Sequence, residues 1–298
     1  MDGILVADKP ERLTSHDVVA AARRALREPR IGHTGTLDPI ATGVLPLACG
    51  RATRLVRFLT ASDKDYDATI RFGLATDTYD ITGRETARSD HVPDRAAVER
   101  ALASLGGNYL QMPPAYSAKR VGGTRAYDRA RRDEEVPLTP VPVRVSRVEL
   151  LAFDGASARV ALTCSPGFYV RSFAHSLGEL VGTGACLEAL RRTRSGEFTL
   201  DQAVSLDEVV RTPEAALGRL IPLDRLLQIL PALRLTDEDR RRVAHGQEIA
   251  GSVPPEAPAG ASASAQSWVR LLDREGHLVA IGTEGRRPDS LHPAVVLI

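Results

Sequence analysis

Residues 31–50 (IGHTGTLDPIATGVLPLACG) constrain the fold of this chain more than any other stretch. They contain four glycines and two prolines among mostly apolar residues, and this density interrupts long helices and strands. We therefore expect residues 31–50 to form a structured loop. Asp38 is the only acidic residue between Glu28 and Asp63, so this loop carries one isolated carboxylate.

Two interpretations of Asp38 are open. A carboxylate among apolar residues is partly desolvated, and it needs a cation or backbone N–H groups to keep its charge. Both a structural and a catalytic aspartate therefore require partners. Because aspartates that satisfy the backbone of turns are common, these residues alone favour the structural role.

The rest of the first two thirds of the chain mixes helical and strand patterns. Thr14 precedes Asp17 by three positions, as in a capping box, which predicts an amphipathic helix within residues 14–27. Spacing and alternation predict the remaining elements, namely helices at 94–105 and 170–181 and strands at 66–73 and within 143–164. The sequence thus predicts an α/β (α+β) body.

The pattern changes after about residue 230. A short helix is predicted at 236–245, ended by Gly246, and two strand-like runs follow at 268–273 and 277–283. A Pro/Ala/Ser/Gly tract at 252–266 is expected to be a flexible surface loop. We expect two domains, a larger one at 1–228 and a small β-rich one at 229–298.

Composition excludes several classes of protein. The chain has 298 residues, 43% of them hydrophobic, and its 39 basic and 38 acidic residues leave a net charge of +1. The net charge therefore gives no indication of nucleic-acid binding. None of its three lysines, Lys9, Lys64 and Lys119, precedes Ser or Thr, which excludes a P-loop. A dinucleotide fingerprint is absent, since the Gly182-Thr183-Gly184 run lacks a third glycine.

No metal, cofactor or membrane segment is expected. The seven histidines show no paired spacing, and His175 with Glu179 is more often a solvated pair than a metal site. The aspartates at 63, 65, 67, 77 and 80 are expected on exposed strand faces and turns. Three widely spaced cysteines and the lack of a signal peptide favour a reducing, cytoplasmic setting.

Residues 112–133 form a basic segment. It holds six basic and two acidic side chains, with two tyrosines and the flexible Gly122-Gly123 pair. Charge alone leaves an RNA-contacting loop and a solvated connection about equally favoured.

Five motifs, taken together, resemble one family. They are Lys9-Pro10, GHTGTLDPIATGVLP at 32–46, DKDY at 63–66, TDTYDITG at 76–83 and GFYVRS at 167–172. In this order they resemble the bacterial TruB family of tRNA pseudouridine-55 synthases, from residue 3 to about 225. The resemblance implies a mixed, mostly antiparallel central sheet and a small β-rich C-terminal domain of the PUA type that binds RNA.

The resemblance also implies roles for individual residues. Asp38 matches the aspartate that attacks the target uridine, and it is expected to be catalytic. Arg171 matches the arginine that pairs with this aspartate, here expected as a bidentate partner. Tyr66 matches the tyrosine that stacks on the flipped-out base. Other residues match substrate-binding positions, namely Lys9, His33, Arg54, Lys119, Tyr169 and Leu190, with Arg54 standing where relatives often have lysine.

The implied function is isomerisation of the T-loop uridine of tRNA to pseudouridine, without cofactor. The basic segment at 112–133 matches the flexible thumb loop that clamps the T-stem loop, which favours the RNA-contacting interpretation. The expected partner is tRNA, with no guide RNA and no membrane, and the chain is expected to be a monomer. Two alternatives remain, an RNA chaperone that acts without chemistry and a guide-RNA-dependent relative.

Overall fold

A computed structural model describes residues 1–116, 120–121, 124–125, 137–253 and 268–298 of the chain. The strands are β1 (Gly3–Lys9), β2 (Ile31–His33), β3 (Ala41–Cys49), β4 (Lys64–Phe72), β5 (Leu74–Thr76), β6 (Glu85–Arg88), β7 (Gly107–Gln111), β8 (Arg120–Val121), β9 (Thr124–Arg125), β10 (Val141–Phe153), β11 (Ser157–Cys164), β12 (Ala185–Ser195), β13 (Phe198–Thr199), β14 (Val204–Ser205), β15 (Ile221–Pro222), β16 (Ala232–Arg234), β17 (Ile249–Ala250), β18 (Trp268–Leu272), β19 (Leu278–Glu284) and β20 (Ser290–Val296). The α-helices are α1 (Ser15–Leu26), α2 (Val56–Thr60), α3 (Arg95–Ser104), α4 (Val170–Leu180), α5 (Leu206–Arg211), α6 (Pro213–Leu217) and α7 (Asp237–Ala244).

A mixed, mostly antiparallel sheet forms the centre of the protein. Its main path runs β14-β1-β3-β12-β4-β11-β10-β7, and among the described strand pairs of this sheet only β1–β14 and β3–β12 are parallel. The capping box predicted at the start of α1 is present, because Thr14 and Asp17 exchange side-chain and backbone hydrogen bonds. The predicted α/β class is confirmed.

The central sheet is buried on both faces near β1. Successive side chains of a strand point to opposite faces, and Leu5 packs into the core that includes α1, α3 and α4, whereas Ile4 and Val6 pack into a second core. That second core includes Leu278 and Ile281 of β19. The C-terminal sheet, ordered β16-β18-β19-β20-β17, therefore packs directly against the central sheet.

The expectation that residues 31–50 form a structured loop without long strands is wrong. The nine residues of β3 lie within this stretch, and β3 is an interior strand between β1 and β12. Gly43 has a φ of +99°, and a Cβ at this position would lie 2.2 Å from the carbonyl oxygen of Arg192. The glycine therefore permits close approach of β3 to β12, and pairing on both sides of the strand outweighs the local preference for a loop.

The C-terminal predictions are confirmed in part. The helix α7 and the strands β18 and β19 lie where the sequence predicts them, and β16, β17 and β20 complete a five-stranded sheet that the sequence did not reveal. Most of the expected loop at 252–266 lies outside the described residues. The boundary between 228 and 229 stays a prediction. None of the helices within the described ranges is both long and apolar enough to cross a membrane.

Candidate active site

Asp38 lies in the connection between β2 and β3, and hydrogen bonds fix the backbone around it. The hydroxyl of Ser15, in the first turn of α1, accepts from the N–H of Leu37 at 2.8 Å and donates to the carbonyl oxygen of Leu37 at 3.0 Å. The N–H of Ala41 donates to the carbonyl of Asp38 at 3.0 Å. The Asp38 side chain is 36% exposed, so a fixed backbone presents a carboxylate that a substrate can reach.

Lys9 supports the same connection from the end of β1. Its buried ammonium group donates to the carbonyl oxygens of Ala41 at 2.5 Å, Pro10 at 2.8 Å and Pro39 at 3.4 Å. Burial lowers the pKa of Lys9 to about 8, and the charge of Asp38 opposes this shift. The sequence predicts a substrate contact for Lys9, whereas its donors are directed at the main chain beside Asp38.

Arg171 provides the cation that Asp38 needs. It is the second residue of α4, its side chain is 7% exposed, and its Nε donates to Oδ2 of Asp38 at 2.8 Å. The two side chains thus pair, but the expected bidentate geometry is not found. The two Nη groups instead donate to the carbonyl oxygens of Thr78 at 3.0 Å and Tyr116 at 2.9 Å.

A second carboxylate, that of Asp80, approaches Arg171 as well. Its Oδ2 lies 3.8 Å from Nε of Arg171, and its side chain is 8% exposed. The Oδ1 atom accepts from the hydroxyl of Thr78 at 3.0 Å, and from the N–H and the hydroxyl of Thr82 at 3.0 and 2.6 Å. One buried guanidinium therefore holds two carboxylates, of which only that of Asp38 is substantially exposed.

The exposed position expected for Asp80 is wrong. The local sequence around it is polar, which is typical of surface turns, and the burial arises from packing against α4 and β12. The sequence does contain one indication of a buried Asp80, namely the threonines two positions before and two positions after it. Threonine hydroxyls at this spacing can hydrogen-bond an aspartate in a turn.

Tyr66 and Leu190 lie on neighbouring strands of the sheet, β4 and β12. Leu190 is paired with Ala68 in the register of these strands, and both Tyr66 and Leu190 are buried members of the core that includes Leu37. Burial raises the pKa of the Tyr66 phenol, and the neighbouring Arg192 opposes this shift. The aromatic ring predicted to stack on a base is thus close to fully buried.

His33 and Tyr169 lie at the ends of elements that lead to Asp38 and Arg171. The Nδ1 atom of His33 accepts from the N–H of Gly35 at 3.3 Å, and burial lowers the pKa of His33. Tyr169 is the residue before α4, and its main chain exchanges two hydrogen bonds with the side chain of Gln111 at 2.8 and 3.0 Å. The ring of His33 and the main chain of Tyr169 are therefore each held by hydrogen bonds.

Two predicted residues are not brought together with Asp38 by any described contact. Arg54 lies in the 3-10 turn after β3, and its Nη1 donates to the carbonyl oxygen of Val296 at 2.5 Å, next to the C-terminal sheet. Lys119 and most of the predicted thumb at 112–133 lie outside the described residues. Their predicted contacts with RNA stay predictions.

A candidate metal-binding group lies elsewhere. Among the described residues, ligand atoms of Asp273, Glu275 and His277 come within 4.8 Å of one another in the turn between β18 and β19. The carboxylate of Asp273 already accepts from the N–H of His277 at 2.8 Å, as expected for a turn.

The arrangement around Asp38 suits nucleophilic chemistry on a planar ring. A carboxylate that is oriented by a buried guanidinium and open to solvent on its other side can act as a nucleophile. The adjacent aromatic and aliphatic side chains suit a flat, partly apolar substrate group.

Two family models match the chain. The model described as "TruB family pseudouridylate synthase (N terminal domain)" matches residues 23–170, and the model described as "tRNA pseudouridylate synthase B C-terminal domain" matches residues 171–228. The matched ranges contain Asp38, Tyr66, Asp80 and Arg171.

Curated relatives match over their full length. A "tRNA pseudouridine synthase B" of Solibacter usitatus is 44% identical over 100% of both chains. Another protein of that name, from Thermobifida fusca, is 42% identical over 99% of this chain and 98% of its own.

Solved structures share the fold. The structure titled "Crystal Structure of a Cbf5-Nop10-Gar1 Complex" is similar with a TM-score of 0.75 at 25% identity, over 99% of this chain and 85% of that chain. The structure titled "Structure of H/ACA RNP bound to a substrate RNA containing 2'-deoxyuridine" has a TM-score of 0.74 at 24% identity, over the same shares of the two chains.

Proposed function

The chain belongs to the TruB family of pseudouridylate synthases and is therefore an isomerase, and from this premise we propose that it converts the T-loop uridine at position 55 of tRNA to pseudouridine with Asp38 as the nucleophile. The printed names of full-length relatives at 44% and 42% identity support tRNA as the substrate. The 2.8 Å contact between Arg171 and Asp38 is the observation that carries the proposed mechanism.

In the proposed reaction, the substrate and the product contain the same atoms. Asp38 attacks the bound nucleotide, the bond between N1 of uracil and C1′ of ribose breaks, and the base turns and rejoins C1′ through C5. The proton on C5 is lost and N1 gains one, so substrate and product are isomers. No cofactor is needed for these steps, because the Asp38 carboxylate is the nucleophile. The carboxylate is regenerated when its bond to the nucleotide breaks.

The surroundings of Asp38 support this role. Arg171 is buried and its Nε donates to Oδ2 of Asp38, so it balances the charge of the carboxylate and fixes its orientation toward the exposed side. Tyr66 and Leu190 offer an aromatic face and an aliphatic side chain to a base removed from its stack. A base that occupies the site displaces water from the exposed side of Asp38 and strengthens its electrostatic interaction with Arg171.

The test is direct. Purified protein is incubated with an unmodified tRNA transcript in the absence of guide RNA and nucleotide, and pseudouridine is mapped along the product. We expect modification of the T-loop uridine alone by the wild type. Asp38→Asn, which preserves size and hydrogen bonding but removes the charge, is expected to bind tRNA and form no product.

The remaining candidate functions are separated by the same assay. Product formation that requires an added guide RNA would identify a guide-RNA-dependent enzyme. Equal activity of wild type and Asp38→Asn would remove Asp38 from the mechanism. Accelerated tRNA folding without product would identify a chaperone.

A further inference from the structure

Arg192 is a buried arginine that the mechanism above does not use. It lies on β12, is 1% exposed, and pairs in register with Gly43 of β3 on one side and Tyr66 of β4 on the other. Arginine is rarely buried to this degree without a partner, because removing its charge from water is costly.

The guanidinium of Arg192 connects the two ends of the segment that carries Asp38. Its Nη2 donates to the carbonyl oxygen of Gly35 at 3.1 Å, and its Nη1 lies 3.5 Å from the carbonyl oxygen of Thr36. Gly35 and Thr36 both precede Asp38 in the sequence. The Nε of Arg192 donates to the carbonyl oxygen of Val44 at 2.7 Å, in β3 after Asp38. Because the guanidinium is planar and rigid, these bonds fix the separation between the two ends.

Among the described residues, no carboxylate is a direct counterion of Arg192. In the described part of the chain its guanidinium forms no salt bridge, and neither do the ammonium groups of Lys9 and Lys64. All three cations donate to backbone carbonyls, and burial lowers the pKa of both lysines, with a smaller contribution from electrostatic repulsion by Arg192. A carboxylate nearby is stabilised by such a group of charges, and the Asp38 charge acts on Lys9.

Arg192 also contacts the second predicted active-site element. It lies beside the phenol of Tyr66, where its positive charge opposes the effect of burial on the pKa of the phenol. Gly35 lies against the guanidinium, with a Cβ position only 3.6 Å from Nη1. One side chain thus touches both the segment of Asp38 and the strand of Tyr66.

We propose that Arg192 is a positioning residue for the reaction, which sets the separation between Asp38 and Tyr66 by holding the Gly35–Val44 segment against β12. This inference rests on the proposed function. Arg171 and Arg192 then divide the work, because Arg171 contacts the reactive carboxylate itself and Arg192 contacts only the backbone that carries it. Placement of reacting groups is sensitive, since a displacement of about 1 Å can cost about 100-fold in rate.

The neighbouring Arg191 offers a matched control. It lies on the same strand, its side chain is 41% exposed, and it forms a bidentate salt bridge with Asp8 at 2.8 and 3.1 Å. Successive residues of a strand project to opposite faces, so a substitution of Arg191 removes an arginine from β12 but leaves the contacts of the Arg192 guanidinium in place. Among the described residues, the one hydrogen bond from the Arg191 side chain to the segment of Asp38 is long, 3.4 Å from Nη1 to the hydroxyl of Thr42.

The test compares Arg192→Met, Arg192→Lys and Arg191→Met in three measurements, namely single-turnover release of tritium from tRNA labelled at C5 of uridine, tRNA affinity and thermal midpoint. For Arg192→Met we expect a rate about 100-fold lower with tRNA affinity changed less than about 3-fold. Lysine keeps the charge but cannot bridge Gly35 and Val44 together, so Arg192→Lys is expected to fold and to be about 10-fold slower. Arg191→Met is expected to react within about 2-fold of wild type.

Each result bears on the proposal. A normal rate for a folded Arg192→Lys and Arg192→Met overturns it, as does a loss of tRNA affinity equal to the loss of rate. If neither Arg192 variant folds, Arg192 is a folding residue and the assigned role fails. A wild type that forms no pseudouridine instead refutes the proposed function, so the two failures are distinguishable.

Discussion

Nε of Arg171 lies 2.8 Å from Oδ2 of Asp38, although 133 positions of sequence separate the two residues. The arginine side chain is 7% exposed and the aspartate side chain is 36% exposed. The pair is therefore asymmetric, with its cation held inside the protein and its anion directed to where a substrate can bind. This asymmetry leads to the first prediction.

Arg171→Lys is expected to lower the single-turnover rate by about 10- to 150-fold, because one charge-assisted hydrogen bond contributes about 1.5–3 kcal/mol. A lysine ammonium cannot reach Asp38 while also satisfying the carbonyl groups of Thr78 and Tyr116. Arg159→Met is the control, since Arg159 is a largely exposed arginine that pairs with a different carboxylate, that of Asp67. A normal rate for Arg171→Lys would contradict a catalytic role for the pair.

Asp80→Asn is expected to slow the reaction while the protein stays folded. The amide oxygen can take over the hydrogen bonds that Oδ1 accepts from Thr78 and Thr82, but the amide nitrogen then faces Arg171 without a charge. We expect a rate about 10-fold lower, because the loss of one charged interaction raises the activation free energy by about 1.4 kcal/mol. Asp77→Asn, which removes a partly exposed salt bridge with Arg84, serves as the control, and equal rates for the two variants would exclude a role for Asp80.

The stability of the protein should rise with pH in the window set by Lys9. Burial lowers the pKa of Lys9 from 10.5 to about 8, so between these values the unfolded chain binds more protons than the folded one. Stability then increases as pH rises through this window, because the penalty for burying the charge is relieved. Urea unfolding at several pH values should show this gain in wild type and a smaller gain in Lys9→Met, and identical slopes would contradict it.

Neutralising the basic residues of 112–133 is expected to weaken tRNA binding and flatten its salt dependence. The change replaces the six basic side chains of the segment, namely Lys119, Arg120, Arg125, Arg129, Arg131 and Arg132. Removing one phosphate-binding charge lowers the magnitude of the log–log salt slope by about 0.7–0.9, because fewer counterions are released. The affinity for tRNA, measured at a series of salt concentrations, checks this prediction. An unchanged slope would show that residues 112–133 are a connecting segment that does not contact RNA.

Local signals predicted local structure well. The Thr14–Asp17 capping box and the apolar spacing that follows it predicted α1 because a helix start satisfies its own N–H groups with nearby side chains. The same holds for α7 and its end at Gly246, which has a φ of +72°. These features depend on residues three or four positions apart.

Features that depend on distant pairing were not predictable in this way. Gly43 and Pro46 indicated a loop, yet β3 forms because β1 and β12 supply hydrogen-bonding partners on both sides. The polar surroundings of Asp80 indicated exposure, yet α4 brings Arg171 against it. In both cases the deciding partner lies more than 30 positions away in the chain.

The sequence by itself determined the residue types of the site, because an isolated Asp38 in a glycine-rich stretch and the motifs around it identify a family. It also determined most helix starts and strand alternation, which arise from near neighbours. Only the tertiary structure decided that Arg171 contacts Asp38 through Nε alone, that Lys9 and Arg192 face backbone carbonyls, and that Asp80 is buried. These relationships require segments far apart in sequence to meet, and the geometry of that meeting is set by packing of the whole sheet rather than by any local pattern.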